Sequence, residues 1–125
     1  MEKPPKKILI IENEAATRRV LVDKLTREKF LVSEANNGLN GLEKATGEHP
    51  DLIILDLFMP KMNGLEVLKQ LHKESWGQQV PIIILTNLND DHHIIEAIKD
   101  KNCEYMLKTN HNLTSLVEKI RSKLI

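Results

Sequence analysis

The sequence predicts an α/β protein built on a doubly wound, five-stranded parallel sheet. Three observations lead there. Short apolar runs recur along all 125 residues, and they are continuous rather than alternating, as in strands buried on both faces. Segments with apolar residues at helical spacing separate those runs, giving β-α repeated five times. Aromatic residues make up only 3% of a chain that is 41% hydrophobic, so the core between the layers is aliphatic. Right-handed crossovers leave few topologies. The expected one is the flavodoxin-like order 2-1-3-4-5 in a three-layer α/β/α arrangement.

The elements follow in order. "ILII" at 8–11 is the first strand. Leu21, Val22 and Leu25 share the core face of the first helix. "FLVSEA" at 30–35 is the second strand, and Leu39 and Leu42 mark the apolar face of the second helix. "LIIL" at 52–55 is the third strand, followed by a helix with Leu65, Leu68 and Leu71 on one face. "VPIIIL" at 80–85 is the fourth, followed by a helix carrying Ile94, Ala97 and Ile98. "YML" at 105–107 is the fifth. Leu113, Leu116, Val117, Ile120 and Leu124 then fall on one face of the last helix. "NNGLNG" at 36–41 reads as turn chemistry; it lacks the Gly-Lys-Ser/Thr ending of a phosphate-cradling loop.

Composition narrows the function. Lysine plus arginine equals aspartate plus glutamate, 18 each, so there is no basic footprint for nucleic acid. No apolar run reaches membrane-spanning length, and "MEKPPKK" leads into only a short apolar run, which is not a signal peptide. The single cysteine, Cys103, cannot form an internal disulfide and reads as a small packed residue in a reducing compartment. The expectation is one cytoplasmic domain over residues 1–125, with residues 1–6 as a flexible tail, and neither a nucleic acid nor a membrane as partner.

Ligands of open α/β sheets bind beyond the carboxyl ends of the strands, at the point where strand order reverses. The first strand ends in Glu12 and Asn13, the third in Asp56, the fourth in Thr86 and the fifth in Lys108. Glu12, Asn13 and Asp56 should converge, because strands 1 and 3 are neighbours in the expected order. Three oxygen-bearing side chains at one rim suit a hard cation, Mg²⁺. An aspartate beside such a cation can act as nucleophile and form an aspartyl-phosphate. Lys108 supplies fixed positive charge for phosphoryl transfer, and the Thr86 hydroxyl a hydrogen bond to a phosphoryl oxygen. Adjacent His92 and His93 read as an exposed helix start rather than a metal site, since neighbours on a helix do not face one ion.

These motifs resemble the receiver domain of two-component response regulators, from Ile8 to about Leu124. "DLIILDLFMPKMNGLEVL" is similar to that family's third strand, acceptor aspartate, Met-Pro turn and glycine-led third helix. "VPIIILT" resembles its fourth strand with the hydroxyl residue, and "YMLK" its fifth strand with the switch aromatic and lysine. The resemblance implies that Asp56 is the phosphoacceptor and that Glu12 and Asn13 stand in the metal-binding acidic pair. It implies that the backbone carbonyl of Phe58 is a metal ligand, and that Thr86 and Tyr105 reorient on phosphorylation. The donor would be a histidine kinase or phosphotransfer protein. A downstream protein would read the face formed by the helix around Ile94–Ile98, the fifth strand and the last helix. Phe58 and Leu88 would flank the path of the attacking water; both are apolar and cannot orient it, so slow self-dephosphorylation is expected.

Three departures from the family pattern stand out. Asn13 replaces an aspartate and removes one negative charge, so Mg²⁺ should bind more weakly than usual. Thr109 follows Lys108 where proline is usual, and a trans bond is expected there because a non-proline cis bond costs roughly 3 kcal/mol. The glycine expected shortly before Tyr105 is missing from "KDKNCEY", leaving Asn102 to take up a left-handed conformation if one is needed. "DLF" lacks a second acid two residues after Asp56, so a signalling switch, a stand-alone receiver, is expected and not an enzyme. The alternative is a pseudo-receiver that binds a partner without phosphorylation. Trp76, the single tryptophan, offers an optical reporter for cation binding.

Overall fold

Ten elements account for the computed structural model, which describes residues 4–57, 59, 62–86, 103–107 and 113–124. Along the chain these are β1 (Lys7–Ile11), α1 (Ala15–Arg27), β2 (Leu31–Ala35), α2 (Gly38–Glu48) and β3 (Leu52–Asp56). Then come α3 (Gly64–Leu71), α4 (Ser75–Gln79), β4 (Ile82–Thr86), β5 (Cys103–Leu107) and α5 (Leu113–Lys123). The sheet is parallel throughout in the order β2-β1-β3-β4-β5, as the apolar runs predicted. The helix expected around Ile94–Ile98 lies outside the described residues.

The continuous apolar strands feed two cores. On one face Leu9, Ile11, Ile53, Leu55, Ile82 and Ile84 pack with Val67, Leu68 and Leu71 of α3. On the other Ile8, Ile10, Ile54 and Ile83 pack with Leu21 and Leu25 of α1 and with Leu116, Val117 and Ile120 of α5. Neighbouring strand residues therefore serve opposite layers, which is why alternation is missing from the sequence.

Two elements differ from the sequence reading. Leu39 is 48% exposed, and the buried face of α2 is Gly38, Gly41 and Ala45, with Leu42 partly buried. The small residues let α2 approach closely: a Cβ on Gly41 would fall 2.6 Å from Ile11 Cδ1. Apolar periodicity cannot see a face made of glycine. The second difference is α4, a five-residue helix with no apolar stripe of its own. It presents Trp76, which stacks on His49 with ring centroids 4.3 Å apart.

Helix ends obey local chemistry. Asn37 caps α2 by accepting from the Asn40 N–H at 2.8 Å, so the "NNG" turn is also a helix start. The C-terminus of α1 closes with Phe30 N–H to Leu25 O and Lys29 N–H to Thr26 O, with Lys29 in the left-handed region at φ 73°.

On the outer side of β5, Glu104 pairs with Lys119 at 2.9 Å and Lys123 at 3.2 Å, both on α5. The Lys119 ammonium holds the Glu104 carboxyl below its ordinary value of 4.5, aided by Lys123 and opposed by partial burial. A lowered folded-state value stabilises the fold above the unfolded value and is lost as pH falls through the folded one. Urea denaturation should therefore show Glu104→Gln costing about 0.5 kcal/mol at pH 7, a figure discounted for a side chain 42% exposed. The gap between variant and wild type should close as pH falls below 4.5.

Candidate functional site

The site lies at the carboxyl end of the central strands and follows from register. Ile11 pairs with Leu55, so the residues that come next, Glu12 and Asp56, emerge side by side. Both are buried, Glu12 at 0% and Asp56 at 2% exposure. The Glu12 N–H donates to Ala35 O at 3.0 Å, and the Glu12 carbonyl accepts from Arg18 Nη1 at 2.8 Å. Arg18 also pairs through Nε with Glu34 at 2.9 Å, tying α1 to β2 beside the rim. Sequence reasoning missed Arg18; it sits mid-turn on α1, in no apolar pattern and at no strand end.

Asn13 joins the two acids. Its amide orientation follows from its neighbours: an oxygen turned to them would meet only acceptors. With the nitrogen facing inward, Nδ2 donates to Asp56 Oδ2 at 2.9 Å and to Glu12 Oε2 at 3.2 Å. The same Glu12 oxygen accepts the Glu14 N–H at 3.1 Å. Two carboxylate oxygens sharing one donor lie no more than about 6 Å apart. Two unit charges at that distance repel by about 3 kcal/mol at an effective dielectric near 20. The amide hydrogen bonds offset part of that repulsion.

The strand-end prediction thus brings Glu12, Asn13 and Asp56 together. Glu14, one residue further on, accepts from the Thr17 hydroxyl at 3.3 Å at the start of α1. Thr86 closes β4, whose Leu85 pairs with Asp56, and Tyr105 pairs with Ile84 within β5. Both backbones are where the sequence put them. Lys108, Thr109, Phe58, Leu88, Asn102, His92 and His93 lie outside the described residues. Trp76 lies away from this rim. It sits before β4 and stacks on His49, which precedes β3, so a strand length of roughly 17 Å separates it from Asp56.

The segment after Asp56 is held by backbone contacts. The Leu57 N–H donates to Leu85 O at 3.2 Å, and the Gly64 N–H donates to Leu57 O at 2.8 Å. Leu57 and Met59 are buried. Asn63 caps α3 by accepting from the Glu66 N–H at 3.0 Å. Gly64 touches the end of β3 so closely that a Cβ would fall 2.5 Å from Asp56 O and 2.7 Å from Leu57 Cα.

Comparison with known proteins settles the lineage. The family model described as "Response regulator receiver domain" matches residues 8–121. The chain belongs to the response regulator receiver domain family. It is 35% identical over 117 residues to "Response regulator ArlR" of Staphylococcus aureus, covering 94% of this chain and 52% of that protein. It is 36% identical over 112 residues to "Transcriptional regulatory protein YdfI" of Bacillus subtilis, covering 86% and 50%. The chain therefore spans about half the length of the curated relatives it matches. The response regulator domain of Thermotoga maritima CheB superposes with a TM-score of 0.83 at 27% identity, covering 96% of each chain. A "CheY-like" receiver domain protein from Methanospirillum hungatei gives 0.83 at 28% identity, covering 96% and 94%. The receiver fold and its strand order are thus shown.

Two buried carboxylates at one rim fit a hard divalent cation by donor chemistry. Among the described residues no group of three His, Cys, Asp or Glu side chains is placed to hold a metal ion. Among the described residues no helix is long and apolar enough to cross a membrane.

The close approach at Gly64 gives a test. Gly64→Ala should lower stability by about 1–3 kcal/mol, because backbone and not a flexible side chain must yield. Gly47→Ala, in α2 with nothing within 4 Å of its added Cβ, should instead raise stability by about 0.5–1 kcal/mol. Urea midpoints measure both.

Proposed function

We propose that this receiver domain is a phosphorylation-dependent switch whose acceptor is Asp56. The observation that carries the reading is a buried Asp56 carboxylate at the end of β3, beside Glu12 and bonded to Asn13. A histidine kinase or phosphotransfer protein would present a phosphohistidine. An Asp56 oxygen attacks phosphorus in line, the P–N bond breaks, and the electron pair leaves with the imidazole, which takes up a proton. An acyl phosphate on Asp56 results.

Mg²⁺ bound at Glu12, Asp56, the Phe58 carbonyl and Asn13 would neutralise charge on the moving phosphoryl oxygens. Glu12 contributes fixed negative charge and is positioned by Glu14 N–H and Arg18. Backbone hydrogen bonds from the Leu57 N–H to Leu85 O and from the Gly64 N–H to Leu57 O hold the segment that follows Asp56. Lys108 and Thr86 are assigned the cation and the hydroxyl for the phosphoryl oxygens. Thr86 and Tyr105 would then shift inward and bias the surface of β5 and α5 for a downstream protein. The chain acts as a switch and not as an enzyme, in the cytoplasm.

Intact mass after incubation with a small phosphodonor and Mg²⁺ tests this. Wild type should gain one phosphoryl group and Asp56→Asn none; an unmodified wild type would establish the pseudo-receiver reading instead. Once formed, the acyl phosphate should persist, because Phe58 and Leu88 cannot orient water. Replacing both with polar residues should speed its loss, followed by the decay of the mass-shifted species. An unchanged decay would remove that role from the pair.

A further inference from the structure

We propose that Gly38 is a positioning residue for Asp56: by carrying no side chain it lets Met62 close against the start of α2, and this contact holds the segment that follows the phosphoacceptor in place. This deepens the reading of Asp56 as phosphoacceptor and rests on it.

The backbone of Gly38 does not itself demand glycine, since no described glycine has a positive φ. Its surroundings do. Gly38 is buried at the first position of α2. A Cβ there would overlap the Met62 carbonyl oxygen and lie 2.9 Å from both the Met62 carbonyl carbon and Val67 Cγ2. Real Cβ atoms essentially never come within 3.0 Å of such neighbours. The nearest atoms are backbone, so no rotamer change relieves the overlap.

Either α2 or the segment around Met62 must then give way, and α2 is the better anchored. Lys44 Nζ donates to Glu34 O, and the Ser33 hydroxyl donates to Glu48 Oε2 at 3.3 Å, so α2 is tied to β2. Gly41 sits tightly on Ile11 of β1. The segment around Met62 leads straight back to Asp56. Gly64, two residues after Met62, donates its N–H to Leu57 O at 2.8 Å, and a Cβ on it would fall 2.5 Å from Asp56 O. Leu57 in turn donates its N–H to Leu85 O at 3.2 Å. A push on Met62 is therefore delivered at the peptide of Asp56. A misplacement of about 1 Å at a reacting group can cost on the order of a hundredfold in rate.

Packing alone would make Gly38→Ala less stable and leave the chemistry of the folded molecules unchanged. Positioning changes the folded molecules themselves. The comparison is with Gly47→Ala, on the same helix with nothing within 4 Å of its added Cβ. Wild type and both variants are measured at a temperature where circular dichroism shows all three folded. Hydrogen exchange of the Leu57 and Gly64 amides, followed by NMR in chelator, should be about tenfold faster in Gly38→Ala relative to the Ile54 amide inside β3, and unchanged in Gly47→Ala. With acetyl phosphate and MgCl₂, intact mass should show Gly38→Ala gaining its phosphoryl group about tenfold more slowly than wild type, and Gly47→Ala at the wild-type rate. Either readout at its wild-type level in folded Gly38→Ala would overturn the proposal and leave Asp56 as phosphoacceptor. A wild type that gains no phosphoryl group would remove the phosphoacceptor reading itself, and the proposal with it. Should Gly38→Ala not fold, Gly41→Ala takes its place. Its Cβ meets only Ile11 side-chain atoms, the nearest at 2.6 Å, so it shifts α2, and with it the contact between Gly38 and Met62, more gently. The same two changes are then expected at about threefold, and wild-type values would overturn the proposal.

Discussion

Glu12 and Asp56 meet across the β1–β3 pair, and the rest of the structure is arranged around that meeting. Both are buried, so neither charge is dispersed by bulk water. The register that joins Ile11 to Leu55 leaves no freedom to separate them. Any sequence folded on this sheet with acids at these two positions has a concentrated negative site at its rim. Something must compensate it: a cation, a lysine or a hydrogen-bond donor. The Glu14 N–H is one donor that reaches it, at 3.1 Å from Glu12 Oε2.

The layers on either side keep that site rigid. α1 and α5 clamp one face of the strands and α3 the other, through aliphatic side chains that are almost fully buried. The loop that leaves Asp56 is bonded back to β4 through Leu57 and to α3 through Gly64. A carboxylate on a loop of its own would sample many orientations. Placed on the last residue of a central strand, with both flanking peptides hydrogen-bonded, it samples few. Trp76 and His49 stack at the far end of the sheet.

Asn13 shows how one substitution can alter the logic of a site without dismantling it. Counted as charge, it is a loss relative to the family's aspartate. Counted as hydrogen bonds, it is a gain for the ion-free protein, since an aspartate there would add a third acceptor to two that already repel. Family resemblance identifies the position.

Much of the fold was legible in the sequence because buried parallel strands leave a simple trace. Runs such as "LIIL" and "PIIIL" must be apolar at every position when both faces are covered, and five of them with helices between fix the architecture. The placement of Glu12, Asn13 and Asp56 was legible too, since strand order and strand ends together determine what converges. The core face of α2 was not, because Gly38, Gly41 and Ala45 pack by being small and carry no hydrophobic signal. Nor was α4, too short to show a period, nor Arg18, whose partners are Glu12, just after β1, and Glu34 in β2. The direction of the Asn13 amide belongs with these. A sequence specifies that an amide is present, but its two ends are nearly identical in shape. Which end turns inward depends on the charges that folding brings within 3.2 Å of it.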